Sequence, residues 1–271
     1  MIGPEAGVRD HYRGSVRRVF GSNGRDDQNL TEPAGGNGPA TTDPAVPDLA
    51  LQPHSGRAGG SGYSELAEQI HRRMIQMFAI VEEAVAGATD ALLTGDRERA
   101  RALVASDAAL DELYIELQRL VHDRVVAGGL DAGETTWLLA VLSMLPELER
   151  SGDLAEHVAQ RATRNLPAEI PARMRGYIER MGELACSMWS MAADAYAERL
   201  AGAERIDLLD DELDDLHVRF IAELVTGTVP VQVAIELALV GRFYERLGDH
   251  AVNLTRRVPV RTEARAAATG S

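Results

Sequence analysis

Glu149-Arg150-Ser151-Gly152-Asp153 and Glu245-Arg246-Leu247-Gly248-Asp249 are two copies of one pattern, each inside an apolar stretch with helical spacing. Residues four apart lie on one face of a helix, so each ExxxD points two carboxylates the same way, roughly 5 to 6 Å apart. Interior acidic pairs are costly, and two helices aiming such pairs at neighbours form a candidate cation site.

Working outward from these copies, apolar residues recur every three or four positions. Leu66, Ile70, Met74, Met77, Val81, Val85, Ala88 and Leu92 predict a first amphipathic helix. Thr94-Gly95-Asp96 supplies a C-terminal glycine and then an N-cap aspartate, so a second helix is predicted from about residue 97 to 126. Gly128-Gly129 ends it, and Asp131 followed by Glu134 opens a third, reaching about residue 164. Asn165-Leu166-Pro167 breaks the pattern. A fourth helix (about 171–200), a fifth (about 204–225) and a sixth ending before Pro259 complete the series. Sustained period-two alternation is missing from residues 63 to 257.

A second repeated motif accompanies the first. Asp107-Ala-Ala-Leu-Asp111-Glu112-Leu113 in the second helix matches Asp207-Leu-Leu-Asp-Asp211-Glu212-Leu213 in the fifth. The six helices thus divide into two sets of long helix, acidic helix and ExxxD helix. The fold expected is all-α: two tandem pseudosymmetric antiparallel three-helix bundles, residues 63–166 and 167–258. An N-terminal extension of residues 1–62 holds 12 of the 25 glycines and 6 of the 11 prolines, a composition that predicts disorder. Residues 259–271 form a C-terminal tail.

Composition narrows the function classes. A net charge of -14 disfavours nucleic acid as a partner and suits cations or basic protein surfaces. All 28 basic residues are arginine, so no Walker A lysine, Schiff-base lysine or Ser-Lys pair exists. GxSxG, CxxC and GxGxxG patterns are also missing. The lone Cys186 cannot form an intrachain disulfide and reads as an inert packed thiol. With no signal-peptide pattern and no apolar run long enough to cross a bilayer, a cytoplasmic location is expected.

Adjacent antiparallel acidic helices would bring together Asp107, Asp111, Glu149 and Asp153 in one half, and Asp207, Asp211, Glu245 and Asp249 in the other. Two carboxylates ~4 Å apart repel by about 4 kcal/mol at an effective dielectric near 20. Such groups hold protons, pair with arginine or bind a cation, and oxygen ligands favour Mg, Ca, Mn or iron. His157 and Asn253, each four residues past an ExxxD aspartate, are candidate further donors; His250 lies about 100° round the helix and is a weaker one. The competing readings are a solvated acidic face for the DxxxD pairs and neutralisation of the ExxxD pairs by Arg150 and Arg246. Pro146, one turn before Glu149, removes a backbone hydrogen bond and is expected to bend the third helix.

From about Tyr63 to Val258 the chain resembles the PhoU family. The resemblance rests on Ala91-Leu-Leu-Thr-Gly-Asp96, Asp107xxxAsp111, Glu149-Arg-Ser-Gly-Asp153-Leu-Ala, Asp207xxxAsp211 and Glu245-Arg-Leu-Gly-Asp249-His-Ala-Val-Asn253. It implies a pseudosymmetric, often dimeric pair of bundles whose motifs bind multinuclear metal, iron foremost, with Mg, Mn, Zn or Ca as other candidates. It also implies a non-enzymatic regulator that restrains the phosphate ABC transporter, through its ATPase, and helps a sensor histidine kinase repress starvation genes. One departure stands out: the Asp-Leu-Arg segment common at the start of the third helix is replaced by Glu134-Thr-Thr-Trp137 and Gln232-Val-Ala-Ile235. The alternatives are a ferritin-like di-iron enzyme, for which only Glu68-Gln-Ile-His71 supplies an ExxH motif, and a metal-free helical scaffold.

Overall fold

The computed structural model describes residues 60–164, 166–198 and 203–258, and every regular element among them is a helix. The two terminal segments to which the sequence assigned an extension and a tail lie, but for residues 60–62, outside the described residues. The helices are α1 (Gly60–Thr94), α2 (Arg97–Ala127), α3 (Ala132–Ala162), α4 (Leu166–Glu169), α5 (Ala172–Glu198), α6 (Ala203–Thr226) and α7 (Val231–Arg257). The one-turn α4 is new: the Asn165-Leu166-Pro167 break hides a short turn whose Leu166 and Pro167 are buried.

Local signals place the ends. Asp96 accepts hydrogen bonds from the backbone N–H groups of Glu98 and Arg99, and Asp131 accepts one from Glu134, satisfying donors that have no partner in a first turn. Gly95, Gly128 and Gly129 adopt positive φ where chains reverse, a conformation that costs L-residues more than glycine. Pro146 sits inside α3 without interrupting it.

The two expected bundles are α1–α2–α3 and α5–α6–α7, but they are not side by side with separate cores. Helices α1, α3, α7 and α5 form a square in which each packs on two neighbours, while α2 lies outside α1 and α3, and α6 outside α5 and α7. One continuous core results, with Phe78, Trp189, Phe220 and Tyr244 as its largest fully buried side chains. Along the α3–α7 seam the helices run antiparallel: Arg257 meets Glu147, Ser151 meets His250, and Arg161 meets Glu236.

Buried polar contacts lock the halves together. Thr89 Oγ1 donates to Val85 O at 2.7 Å and shares a 2.8 Å hydrogen bond with Tyr244 Oη. Within the second half, Trp189 Nε1 donates to Leu247 O at 3.1 Å. Ser151 Oγ donates to Glu147 O at 2.6 Å and meets His250 Nδ1 at 2.8 Å. With its one proton given to Glu147, Ser151 accepts from His250, which fixes the Nδ1–H tautomer. Glu147 itself is buried against Arg257 at 3.0 Å.

Gly182 shows how tightly α5 closes on α1: an added Cβ would stand 2.4 Å from Thr89 Cγ2 and 2.9 Å from Thr89 Oγ1. Alanine favours a helix by ~1 kcal/mol over glycine, whereas overpacking costs ~1–3 kcal/mol. Gly182→Ala is therefore expected to lower stability in urea unfolding. Thr89→Ser removes the nearer methyl clash but keeps the hydroxyl 2.9 Å away, so in that background Gly182→Ala should cost less than it does in wild type.

Burial pushes the His250 pKa down to about 4, aided by the charges of Arg150, Arg246 and Arg257. Because the folded state then binds fewer protons than the unfolded chain between about pH 6.5 and 4, His250 removes stability as pH falls through that window. Asp210, raised to about 6, acts in the opposite sense. The His250 share is isolated by His250→Asn: the mutant's loss of unfolding free energy between pH 7 and 5 should be smaller than wild type by ~1–2 kcal/mol.

Candidate metal centre

The acidic helices α2 and α6 meet the ExxxD helices α3 and α7 at two glycines. A Cβ on Gly152 would lie 2.3 Å from Leu110 Cδ2 and 3.3 Å from Asp107 Oδ1; one on Gly248 would lie 2.7 Å from Leu213 Cδ2 and 3.2 Å from Asp210 Oδ1. Glycine costs ~1 kcal/mol in each helix interior, and what it permits is this close approach of a leucine and a carboxylate. The two contacts also define which residues correspond. Asp107 corresponds to Asp210, Leu110 to Leu213, and hence Asp111 to Asp214.

This corrects the expected second site. Asp207 pairs with Arg256 at 2.9 Å, and Asp211 points to solvent. The match of Asp107xxxAsp111 to Asp207xxxAsp211 is wrong by three residues, nearly a turn; across the seven-residue motif the Asp210 match keeps as many letters, at Asp210, Leu213, Asp214 and Leu216. Counting from the α6–α7 turn does not separate the two matches, because Asp207 and Asp249, like Asp211 and Glu245, are comparably distant from it; the contact of Leu213 and Asp210 with Gly248 does.

In the first half, ligand oxygens of Asp107, Asp153 and Glu156 all lie within 4.8 Å of one another. Asp111 and Glu149 are half-buried on the same two helices. Glu149 stands near Tyr114, whose phenol is raised by burial and then by the Glu149 charge. Glu156 was not among the sequence candidates, although its i, i+3 relation to Asp153 puts both on one face. A cavity of ≈ 10 Å³ adjoins the triad, lined in part by Ser106, Asp107, Gly152 and Glu156.

In the second half, burial and the charges of Asp214 and Asp249 raise Asp210 to about 6. Glu245 is raised by burial, Asp249 and Asp214, with Arg242 and Arg246 pulling the other way. Asp249 is raised by burial and Asp214. Asp210, Asp214, Glu245 and Asp249 therefore form one electrostatic group. Glu245 Oε1 accepts from Arg242, while its Oε2 is buried with no hydrogen-bond partner among the described residues. Arg150 Nε donates to Pro146 O, and Glu245 is ion-paired by Arg242.

The other proposed donors sit elsewhere. His157 stacks on Phe243 at 5.4 Å, with the Arg161 guanidinium 4.7 Å from the centre of the same ring. Asn253 lies beside Glu147 and helps stabilise its charge. His250 faces Ser151, on the seam. His71 of the ExxH motif stacks on Tyr196 at 5.2 Å, and neither Glu68 nor His71 joins the three-carboxylate group.

Carboxylates alone make a hard donor set suited to Mg, Ca, Mn or iron. An orphaned buried carboxylate oxygen in one half and three converging oxygens in the other both fit a cation. Carboxyl NMR titration tests the corrected register. Asp210 should titrate near pH 6, and Asp249→Asn or Asp214→Asn should lower that midpoint by removing a like charge. Replacing Asp211, on the solvent side, should leave it nearly unmoved.

Comparison with known proteins follows the same internal duplication. The family model described as the PhoU domain matches residues 74–162 and again residues 178–258. The phosphate-specific transport system accessory protein PhoU homolog 2 of Mycobacterium bovis is 28% identical over 202 residues, covering 73% of this chain and 95% of that protein. The PhoU homolog of Caulobacter vibrioides is 29% identical, covering 71% of this chain and 86% of that protein. The crystal structure of PhoU from Pseudomonas aeruginosa superposes with a TM-score of 0.69 at 23% identity, covering 72% of this chain and 96% of that one. That of the phosphate transport system regulatory protein PhoU from Streptococcus pneumoniae gives 0.62 at 18% identity, covering 72% and 94%. With the domain matched twice across most of the helical body, the chain belongs to the PhoU family.

Proposed function

We propose that this protein is a non-catalytic cytoplasmic regulator of phosphate uptake. It restrains a phosphate ABC transporter, through its ATPase, and helps a sensor histidine kinase repress starvation genes when phosphate is plentiful. The observation that carries this reading is the double PhoU-domain match, with a carboxylate group retained at the α2–α3 and α6–α7 contacts of both halves. Relatives named as accessory proteins of the phosphate-specific transport system support it.

Its output is a protein contact rather than a reaction. Val231, Ile235 and Leu239 recur every four residues on α7 and are 74%, 56% and 41% exposed. An apolar stripe of that kind on a helix suits a protein partner or a second copy of the chain, and we assign a homodimer as the working unit.

Asp107, Asp111, Glu149 and Asp153 would hold metal in the first half, and Asp210, Asp214, Glu245 and Asp249 in the second. Iron is the leading candidate from the family resemblance, with Mg, Mn, Zn or Ca behind it. Bound cations there supply charge compensation, relieving repulsion between carboxylates. The residues themselves cross-link helices: α2 to α3 through one set, α6 to α7 through the other. A metal-responsive change in how the outer helices pack would thereby reach the protein surface.

Deletion of the gene tests the regulatory reading. At high phosphate, loss of the protein should raise starvation-gene expression and phosphate uptake, and wild type should restore both; unchanged expression and uptake would reject it. Complementation with Glu149, Asp153, Glu245 and Asp249 changed to Gln or Asn should fail if metal matters to the output. Full complementation by that variant, with no metal in the purified wild-type protein, would favour the metal-free scaffold.

A further inference from the structure

The two carboxylate groups are built from equivalent helices but not from equivalent residues. The Gly152–Gly248 correspondence carries Glu156 onto Val252 and Gln160 onto Arg256. Each exchange changes the charge available to a cation. Glu156 places a carboxylate oxygen within 4.8 Å of oxygens from Asp107 and Asp153, whereas Val252 is a buried apolar side chain. Gln160 Nε2 donates to Glu156 Oε1 at 3.0 Å, holding that carboxylate and leaving its second oxygen available. Arg256 instead brings a guanidinium to Asp207 at 2.9 Å, and its charge is felt at Asp210.

We propose that Glu156 is an additional ligand of the first site, and that it makes the two sites unequal: the α2–α3 site binds a hard divalent cation first and more tightly than the α6–α7 site. The inference rests on the metal reading above. Its geometric basis is the span of the triad. Oxygen–cation distances of about 2.0–2.6 Å put ligands on opposite sides of one ion roughly 4–5 Å apart. Three oxygens mutually within 4.8 Å therefore suit one shared ion without helix movement.

Gly152 belongs to the same device. It lets α2 approach α3 until Asp107 meets the Asp153–Glu156 face, and it lines the small cavity beside them. In the second half the glycine contact persists while the third carboxylate is gone. Loss of one anionic ligand and gain of a nearby guanidinium both weaken cation binding. The difference in affinity follows from sequence divergence between two halves that share a backbone plan.

Manganese titration of the chelator-stripped full-length protein, followed by calorimetry and by the electron paramagnetic resonance of free Mn, tests the assignment. Wild type should show two classes of site. Asp153→Asn should remove the tighter class and Asp249→Asn the weaker. Glu156→Gln, which keeps the side-chain shape, and Glu156→Val, which copies the second half, should each weaken the tight class about tenfold or more. Val252→Glu should strengthen the weak class. Circular dichroism and melting of each variant confirm that it folds. Two classes unchanged by both Glu156 substitutions would overturn the role of Glu156 while leaving the metal reading intact. Failure of the wild-type protein to bind Mn, with no metal in the protein as purified, would overturn both.

Discussion

At Gly152 and Gly248 an outer helix approaches an inner one so closely that a single added carbon would collide with Leu110 or Leu213. Both halves depend on that approach. It sets the axial position of α2 on α3 and of α6 on α7, and thereby chooses which carboxylates face each other. A leucine packed on a bare backbone is an apolar contact, gained by excluding water. The same contact carries Asp107 and Asp210 inward as neighbours of the leucines that drive it. Packing energy thus offsets the repulsion of the acidic groups it assembles.

The inner square of α1, α3, α5 and α7 supplies the rigid support for these outer contacts. Its seams are apolar apart from a few buried polar links, chiefly Thr89–Tyr244, Ser151–His250 and Glu147–Arg257. An unmatched buried polar group costs ~1–3 kcal/mol, so each link disfavours any register that would separate its partners. The inner helices therefore have one well-defined alignment, and the outer acidic helices are free to differ in side chain without losing it. The links also leave the faces of α3 and α7 turned towards the outer helices free to diverge, so Val252 and Arg256 of α7 stand where α3 has Glu156 and Gln160 while the backbone plan is shared.

Electrostatics separates the motif residues into different tasks. Asp210, Glu245 and Asp249 all have raised pKa values, through burial and the charges of neighbouring carboxylates, Asp214 among them. The motif arginines Arg150 and Arg246 act on the far side too, since both disfavour protonation of His250. One short motif thus shapes the carboxylate group on one face of its helix and the half-to-half seam on another. A chain of net charge -14 gathers its acids where helices meet, not only on its solvated surface.

The sequence by itself determined the six long helices, the duplication and the identity of the ExxxD faces, because apolar periodicity and caps act over a few residues and leave direct traces. Asp96, Asp131 and the α2–α3 glycines behave as their local chemistry requires. It did not determine how far α6 slides along α7. Letter-by-letter matching of Asp107–Leu113 scores Asp207 and Asp211 no better than Asp210 and Asp214, and the Leu213–Gly248 contact selects the latter. Nor did it place His157 against Phe243 or Asn253 against Glu147, since helix spacing fixes a residue's angle within its own helix and not the neighbour it meets. Register, the shared core and the inclusion of Glu156 were decided only by tertiary structure, where close packing between distant segments settles what local periodicity leaves open.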